Sequence, residues 1–367
     1  MNKMKNHTSA NTSETQSKKR SNIETMYPLS PMQEGLLFHS LLSPTAGTYV
    51  PQIVLTFAGP NDKQIDGQLL KKAWEDAIAR HSILRTGFNW EQRDQPFQVV
   101  YRKSGLSQAT WQNLGIEQDW QQLSEAEQSA KLKILLACNQ TEPFNLKQPP
   151  LMRLTWIRSK DDTGKNRYYL LWCYHHLVLD GWSASQLLKE VFQTYFVISG
   201  KIPPINQPVS RTYGDYIAWL NQQDTAKAES FWQSYLAGWD EPIPLPIINH
   251  KANSAKNGLV TEQLTEQQRP LSAKATQKLK AFAQTHKVTL NTVVQAALGL
   301  VLSRYCDTPD VVFGATCAGR PTALAGALSM VGLFINTLPV RVQIEREETI
   351  VDWLQKLSIQ QAVTTEY

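Results

Sequence analysis

Apolar residues recur at intervals of three and four along several stretches of the chain, which is the spacing of one buried helix face. In residues 65–81, for example, Leu70, Ala73, Trp74 and Ile78 follow this spacing. The predicted helices cover residues 65–81, the stretch after Gly181, and residues 212–222, 226–236, 272–286 and 289–305. Each of them is long enough to bury one face against a sheet or another helix.

Shorter apolar runs lie between turn-forming segments and predict strands. They cover residues 83–88, 97–101, 151–158, 167–174, 311–316 and 333–342. The run 167–174 is apolar or aromatic on both faces, which is typical of a central strand in a sheet covered on both sides.

Helices and strands occur in both halves of the chain, and the proline-containing segment 200–210 separates the halves. The pattern predicts an α/β protein with two subdomains. We expect a disordered leader over residues 1–25, a first subdomain over 26–200 and a second over 201–367.

Composition adds few constraints. The 367 residues are 42% hydrophobic and 19% charged, as in an ordinary globular protein. The net charge of +5 comes mostly from the leader, and no block of five basic residues indicates nucleic acid binding. Four scattered cysteines favour neither a disulfide framework nor a metal site, and they suggest a reducing cytoplasm. We find no signal peptide and no stretch of about 18 apolar residues, so we expect no membrane span.

The segment YHHLVLDGW, residues 174–182, places candidate chemistry at the end of the predicted central strand. Adjacent strand residues point to opposite faces, so only one of His175 and His176 can face a given cavity. A neutral imidazole there can accept a proton from an attacking nucleophile. Two adjacent histidines do not easily share one metal ion, so we expect no metal.

The turn after the histidines carries Asp180 and Gly181, and the glycine is expected to permit the chain reversal into the next helix. Ser183 is the predicted N-cap of that helix, and Gln186 completes a capping box. The sequence contains no nucleophile elbow, P-loop or dinucleotide fingerprint, which disfavours hydrolases, NTPases and dinucleotide enzymes.

Six segments in order resemble the motifs of nonribosomal peptide synthetase condensation domains, which are related to chloramphenicol acetyltransferase. They are YPLSPMQEGLLFH (27–39), RHSILRTGF (80–88), HHLVLDGW (175–182), YGDYIAW (213–219), GRP (319–321) and VGLFINT (331–337). The resemblance implies two α+β two-layer sandwich lobes in a V with a central tunnel. Family members run longer than this chain, so we expect an incomplete C-terminal lobe.

The resemblance also implies a reaction and partners. A donor carrier protein presents a peptidyl or aminoacyl thioester, and an acceptor carrier presents an aminoacyl thioester whose amine attacks the donor carbonyl. Both substrates are attached to phosphopantetheine arms of the carriers, and the condensation domain itself is expected to bind no cofactor directly. A downstream adenylation domain is expected. Residues 18–27 resemble a docking segment, which points to an upstream synthetase subunit, and residues 29–39 resemble domains whose donor ends in a D-residue.

By position in the core motif, His176 corresponds to the catalytic histidine, which positions the amine and accepts its proton. His175 is implied to support the fold. Asp180 corresponds to a structural anchor that pairs with an arginine, and both Arg320 and Arg341 are candidates.

The remaining candidates surround this core. Gly181 keeps the approach to the tunnel clear, and Trp182 and Ser183 lie at a helix start whose N–H groups could bind a developing oxyanion. Ser183 and Asn336 are expected to line the tunnel. Arg80 and Arg85 are implied to be structural.

Two other functions stay open. A free-standing acyltransferase would use a CoA thioester and would need no carrier protein. A catalytically silent module would bind carriers but would usually lack the core histidine, which is present here as His176.

Overall fold

The computed structural model describes residues 22–58, 65–91, 94–105, 115–205, 211–239 and 267–367. The predicted leader up to residue 21 and part of the 200–210 segment lie outside these residues. No helix in the described ranges is long and apolar enough to cross a membrane.

Helices and strands occur in both halves of the chain, as the periodicity predicts. The strands are β1 (Ile23–Pro28), β2 (Gln52–Ala58), β3 (Thr86–Asn89), β4 (Phe97–Tyr101), β5 (Gly115–Asp119), β6 (Met152–Lys160), β7 (Asn166–Tyr174), β8 (Asp310–Cys317) and β9 (Asn336–Gln343). The helices are α1 (Pro31–Leu42), α2 (Gly67–Arg80), α3 (Glu125–Thr141), α4 (Gly181–Ile198), α5 (Tyr213–Leu220), α6 (Thr225–Tyr235), α7 (Ala273–Thr285), α8 (Leu290–Cys306) and α9 (Ile350–Thr364). The mixed α/β class is confirmed.

The chain forms two compact units, and each of them draws on two stretches of sequence. The first contains the residues up to Gln223 together with Arg320–Ile335, and the second contains Asp224–Gly319 with Asn336–Tyr367. This division differs from the boundary expected at residue 200. Helix α5 belongs to the first unit because Tyr213, Tyr216 and Ile217 are buried in its core.

The first unit contains two sheets. One has the strand order β2-β7-β6-β5, with β7 antiparallel to both neighbours and β5 parallel to β6. The other is antiparallel, with the order β1-β4-β3. Strand β7 is an inner strand, as predicted. Its Trp172 ring packs 4.9 Å from Trp74 of α2, so the end of β7 is held firmly by the core.

The second unit has the antiparallel pair β8-β9 among its described residues, together with helices α6 to α9. Its core contains Val311, Val340, Val342 and Trp353. The predicted strand at 333–342 begins later, at Asn336, because the residues just before it are buried in the first unit.

Candidate active site

The candidate site begins where β7 ends, and its two histidines are not equivalent. The amide of His175 donates to Leu151 O and that of His176 donates to Tyr49 O, both at 2.9 Å. Backbone amides that bond to opposite sides on successive residues are typical of an extended strand. In such a strand, successive side chains point to opposite faces. Accordingly, the His176 ring meets Tyr174 edge-on, whereas the His175 ring meets Phe144.

The two imidazoles carry their protons on different nitrogens. His176 Nδ1 lies 3.0 Å from Leu179 O; a carbonyl only accepts, so Nδ1 carries the proton and Nε2 of the neutral ring is an acceptor. His175 Nδ1 instead accepts from the Leu177 amide at 3.1 Å. Its Nε2 therefore carries the proton and faces Ser40 Oγ at 3.3 Å.

Burial sets the charge of His175. Desolvation lowers its pKa from 6.5 to about 4, and the neighbouring His176 acts in the same direction. His175 is therefore neutral at physiological pH. By contrast, the His176 side chain is partly exposed, so its free Nε2 can meet a substrate.

Asp180 is fully buried and is the N-cap of α4. Its Oδ1 accepts from the Ser183 amide at 2.7 Å, and its Oδ2 accepts from the Phe334 amide at 2.9 Å. The structure also distinguishes the two arginine candidates. Arg320 Nη2 lies 3.5 Å from Asp180 Oδ1, whereas Arg341 forms its ion pair with Asp310 at 2.6 Å.

The structure contradicts three expectations for Ser183. The helix begins two residues earlier, so Ser183 is not its N-cap. Its side chain is fully buried and its hydroxyl donates to Gly332 O at 2.7 Å, so it does not line an open tunnel. Its N–H is already bound by Asp180 and is not free for an oxyanion.

Arg320 joins the same buried cluster. It donates to Ser183 Oγ at 2.6 Å and to the carbonyl oxygens of Ala327 and Met330 at 2.5 and 2.9 Å. Its guanidinium also stacks 4.2 Å from the Phe334 ring centre. Burial lowers its pKa while Asp180 raises it. The segment 320–335 is thus tied to the start of α4.

Gly181 and Trp182 form the exposed start of α4. The backbone of Gly181 is not left-handed, so the chain reversal expected at this position does not require a glycine. A Cβ added there would meet no atom within 4 Å, so a side chain would extend into open space. The Trp182 indole donates to Leu328 O at 3.2 Å.

The other predicted residues lie elsewhere. Arg80 pairs with Glu190 at 3.1 Å. The buried Arg85 binds Glu24 at 2.7 Å and the carbonyl oxygens of Ile78 and Tyr101. Asn336 is exposed at the start of β9, and its place in a tunnel stays a prediction.

The motifs that flank the histidine run also supply buried polar side chains that the motif-based predictions did not single out. Tyr213 Oη donates to Leu333 O at 2.8 Å and accepts from Ser30 Oγ at 3.3 Å. Gln33 donates to Leu177 O at 3.0 Å. Among the described residues, no three histidine, cysteine or acidic side chains group as metal ligands.

The fold and this site define an acyltransferase-type scaffold, and comparisons identify its family. The family model for the condensation domain matches residues 23–366. The chain therefore belongs to the condensation domain family of nonribosomal peptide synthetases, which are amide-bond-forming acyltransferases.

Curated relatives agree with this assignment. One of the linear gramicidin synthase subunits of Brevibacillus parabrevis is 39% identical over 347 residues, covering 94% of this chain and 6% of that protein. Bacitracin synthase 1 of Bacillus licheniformis is 31% identical, again covering 94% and 6%. The chain thus spans a small part of the relatives it matches.

Solved structures share the fold. The first condensation domain of the calcium-dependent antibiotic synthetase has a TM-score of 0.69 at 19% identity, covering 93% of this chain and 75% of that one. A four-domain nonribosomal peptide synthetase bound to AMP and glycine has a TM-score of 0.71 at 18% identity, covering 94% and 24%.

Proposed function

We propose that this chain joins a donor acyl group to the amine of an acceptor aminoacyl thioester, both held on the phosphopantetheine arms of carrier proteins. The acceptor amine attacks the donor carbonyl carbon, the new C–N bond forms and the C–S bond breaks. The amine proton passes through His176 Nε2 to the leaving thiolate. The atoms therefore balance without an added cofactor.

The observation that carries this proposal is the orientation of His176. Its Nδ1–H is bound by Leu179 O at 3.0 Å, so the unprotonated Nε2 is directed by the protein rather than by the substrate. An α-amine has a pKa of about 8, so alignment contributes more than strong base catalysis. Asp180 does not take part in proton transfer because its oxygens bind the Ser183 and Phe334 amides.

The partners follow from the family. We propose donor and acceptor carrier proteins, an adenylation domain in the same assembly and an upstream subunit recognised through the leader. The four cysteines are free, which supports the cytoplasm as the compartment.

The test is amide formation by the intact protein with loaded donor and acceptor carriers. His176→Ala should lower product formation at least about 100-fold, within the range of a general acid–base contribution. His286→Ala, which removes a partly exposed histidine at the end of α7 and outside the six motifs, should leave it unchanged. Equal product from the wild type and His176→Ala refutes the catalytic assignment.

The same assay separates the substrate classes. Replacing the donor carrier with the matching acyl-CoA should abolish or strongly reduce product, whereas efficient use of the CoA thioester supports a free-standing acyltransferase instead.

We also propose that the donor ends in a D-residue, which is supported by the resemblance of residues 29–39. Donor carriers loaded with D-ended and L-ended peptides should give faster transfer from the D-ended form. Preference for the L-ended donor overturns this part alone.

A further inference from the structure

We propose that Gln33 is a positioning residue for amide formation, because its side-chain amide holds the loop that carries His176. This inference rests on the proposed function, since it concerns the same histidine. Gln33 lies in the third position of α1 and is fully buried.

The Gln33 amide has one permitted orientation. Its Oε1 accepts from the Ser30 amide at 3.0 Å and from Gln98 Nε2 at 2.9 Å. Its Nε2 donates to Leu177 O at 3.0 Å. A flipped amide would place its NH₂ group against two donors and its oxygen against a carbonyl. Gln98 is also fully buried and donates to Pro28 O at 3.0 Å, so water does not replace these contacts.

Leu177 O, which accepts the hydrogen bond from Gln33, lies in the turn next to His176. Val178 N donates to His175 O at 3.1 Å, so residues 175–178 form a turn with Leu177 at its third position. In sequence, Leu177 lies between His176 and Leu179, whose carbonyl oxygen fixes the His176 ring. A rotation of the Leu177–Val178 peptide would therefore displace the partner of His176 Nδ1.

Helix α1 contacts the loop at a second point. Ser40 Oγ accepts from His175 Nε2 at 3.3 Å and donates to Leu36 O at 2.6 Å. Gln33 and Ser40 are seven residues apart, about two helical turns, so they lie on the same face of α1. The helix thus holds the loop on both sides of His176. Catalytic groups need placement to within about 0.5 Å, which a single turn with few side-chain contacts does not secure alone.

Gln33→Met removes the hydrogen bonds at similar volume, and Gln128→Met is its matched control. Gln128 is also a buried glutamine, and it donates to Leu123 O at 2.9 Å and to Lys160 O at 3.0 Å. Lys160 pairs with Asn166 at the end of β6 and β7 remote from Tyr174. Both variants should lose similar stability in the intact protein.

Only Gln33→Met should lower the maximal rate of carrier-to-carrier amide formation, by about 10- to 100-fold, the size expected for a displacement of about 1 Å. The KM for both loaded carriers should change less than about twofold, because the substitution leaves the contacts that bind the substrates in the ground state unchanged. Equal rate losses in Gln33→Met and Gln128→Met overturn the proposal.

Gln33→Glu adds a readout that a merely structural role would not produce. A protonated glutamic acid can donate to Leu177 O, whereas the carboxylate repels it. Burial raises the pKa of a carboxyl group, so the rate relative to wild type should fall as pH rises through that raised value. A flat ratio across the pH range at which the variant stays folded overturns the proposal.

Nitrogen-15 spectra of histidine-labelled protein report the loop directly. His176 should populate the Nδ1–H tautomer in the wild type and in Gln128→Met, and should lose that preference in Gln33→Met. His176→Ala in the same rate assay distinguishes the two hypotheses. If it retains full activity, the proposed function fails; if it is inactive while Gln33→Met matches Gln128→Met, only the present inference fails.

Discussion

The carboxylate of Asp180 accepts a hydrogen bond from the Phe334 amide at 2.9 Å, across 154 residues of sequence. The same carboxylate caps α4 through the Ser183 amide. One buried side chain therefore fixes both the helix that follows the histidines and the distant segment 320–335, which explains its place in the core motif without a role in proton transfer.

Asp180→Asn should destabilise the protein by about 3 kcal/mol, because it leaves Arg320 without its buried counter-charge and sets an NH₂ group against the Phe334 amide. Urea denaturation measures the change. Asp310→Asn breaks the more exposed pair with Arg341 and should cost about 1 kcal/mol. Comparable losses in both variants would contradict the assignment of Asp180 as the anchor.

His175 should make stability depend on pH in the acid range. Its pKa is lowered from 6.5 to about 4 in the folded protein, so the unfolded chain binds a proton first as the pH falls. The contribution is present above pH 6.5 and is lost as the pH falls toward 4, on the order of 3 kcal/mol in total. His175→Gln should remove this part of the slope of unfolding free energy against pH. An unchanged slope would show that His175 does not titrate in this way.

Gly332→Ala should destabilise the first unit because the new Cβ would overlap the Tyr213 ring. Overpacking of this kind costs about 1–3 kcal/mol. Gly35→Ala is the control: it lies inside α1 with no atom within 4 Å of the new Cβ, and it should stabilise by about 0.5–1 kcal/mol. Thermal unfolding of both variants gives the comparison, and a neutral Gly332→Ala would contradict the packing described.

Gly181→Ala should leave the free energy of unfolding within about 0.5 kcal/mol, since the position is unstrained and open. If open space in front of α4 admits substrate, the rate of amide formation should fall with Gly181→Ala and fall further with Gly181→Leu. Single-turnover rates with loaded carriers measure this. Wild-type rates in both variants would remove Gly181 from the substrate approach.

Local patterns predict much of the fold. The period of the apolar residues places α2 and α5 to α8 within a few residues of their observed ends, and the two-sided apolar run identifies β7 as an inner strand. The period of the apolar residues does not predict helices α1, α3 and α9 or strands β1, β2 and β5. Helices α1 and α3 do begin with a capping box, Ser30–Gln33 and Ser124–Glu127. The predicted strand at 83–88 divides into a 3₁₀ turn and β3.

The contacts of the site are harder to predict from sequence because they join residues that lie far apart along the chain. Serine is a common N-cap residue, but the Ser183 hydroxyl donates to Gly332 O, 149 residues away. Arg320 and Arg341 are equivalent by residue type, and only the fold brings one of them to Asp180. Gln33 lies in the opening motif, but the sequence of that motif does not indicate that the Gln33 side-chain amide reaches the loop that carries His176.

The chain passes between its two units at three places: after Gln223, after Gly319 and after Ile335. Neither unit is therefore a contiguous fragment. A chimera with a single junction near residue 223 would combine an α4 from one parent with a 320–335 segment from the other. Recombination that exchanges the first unit should carry both pieces together, so that Asp180, Ser183 and Arg320 keep the partners with which they evolved.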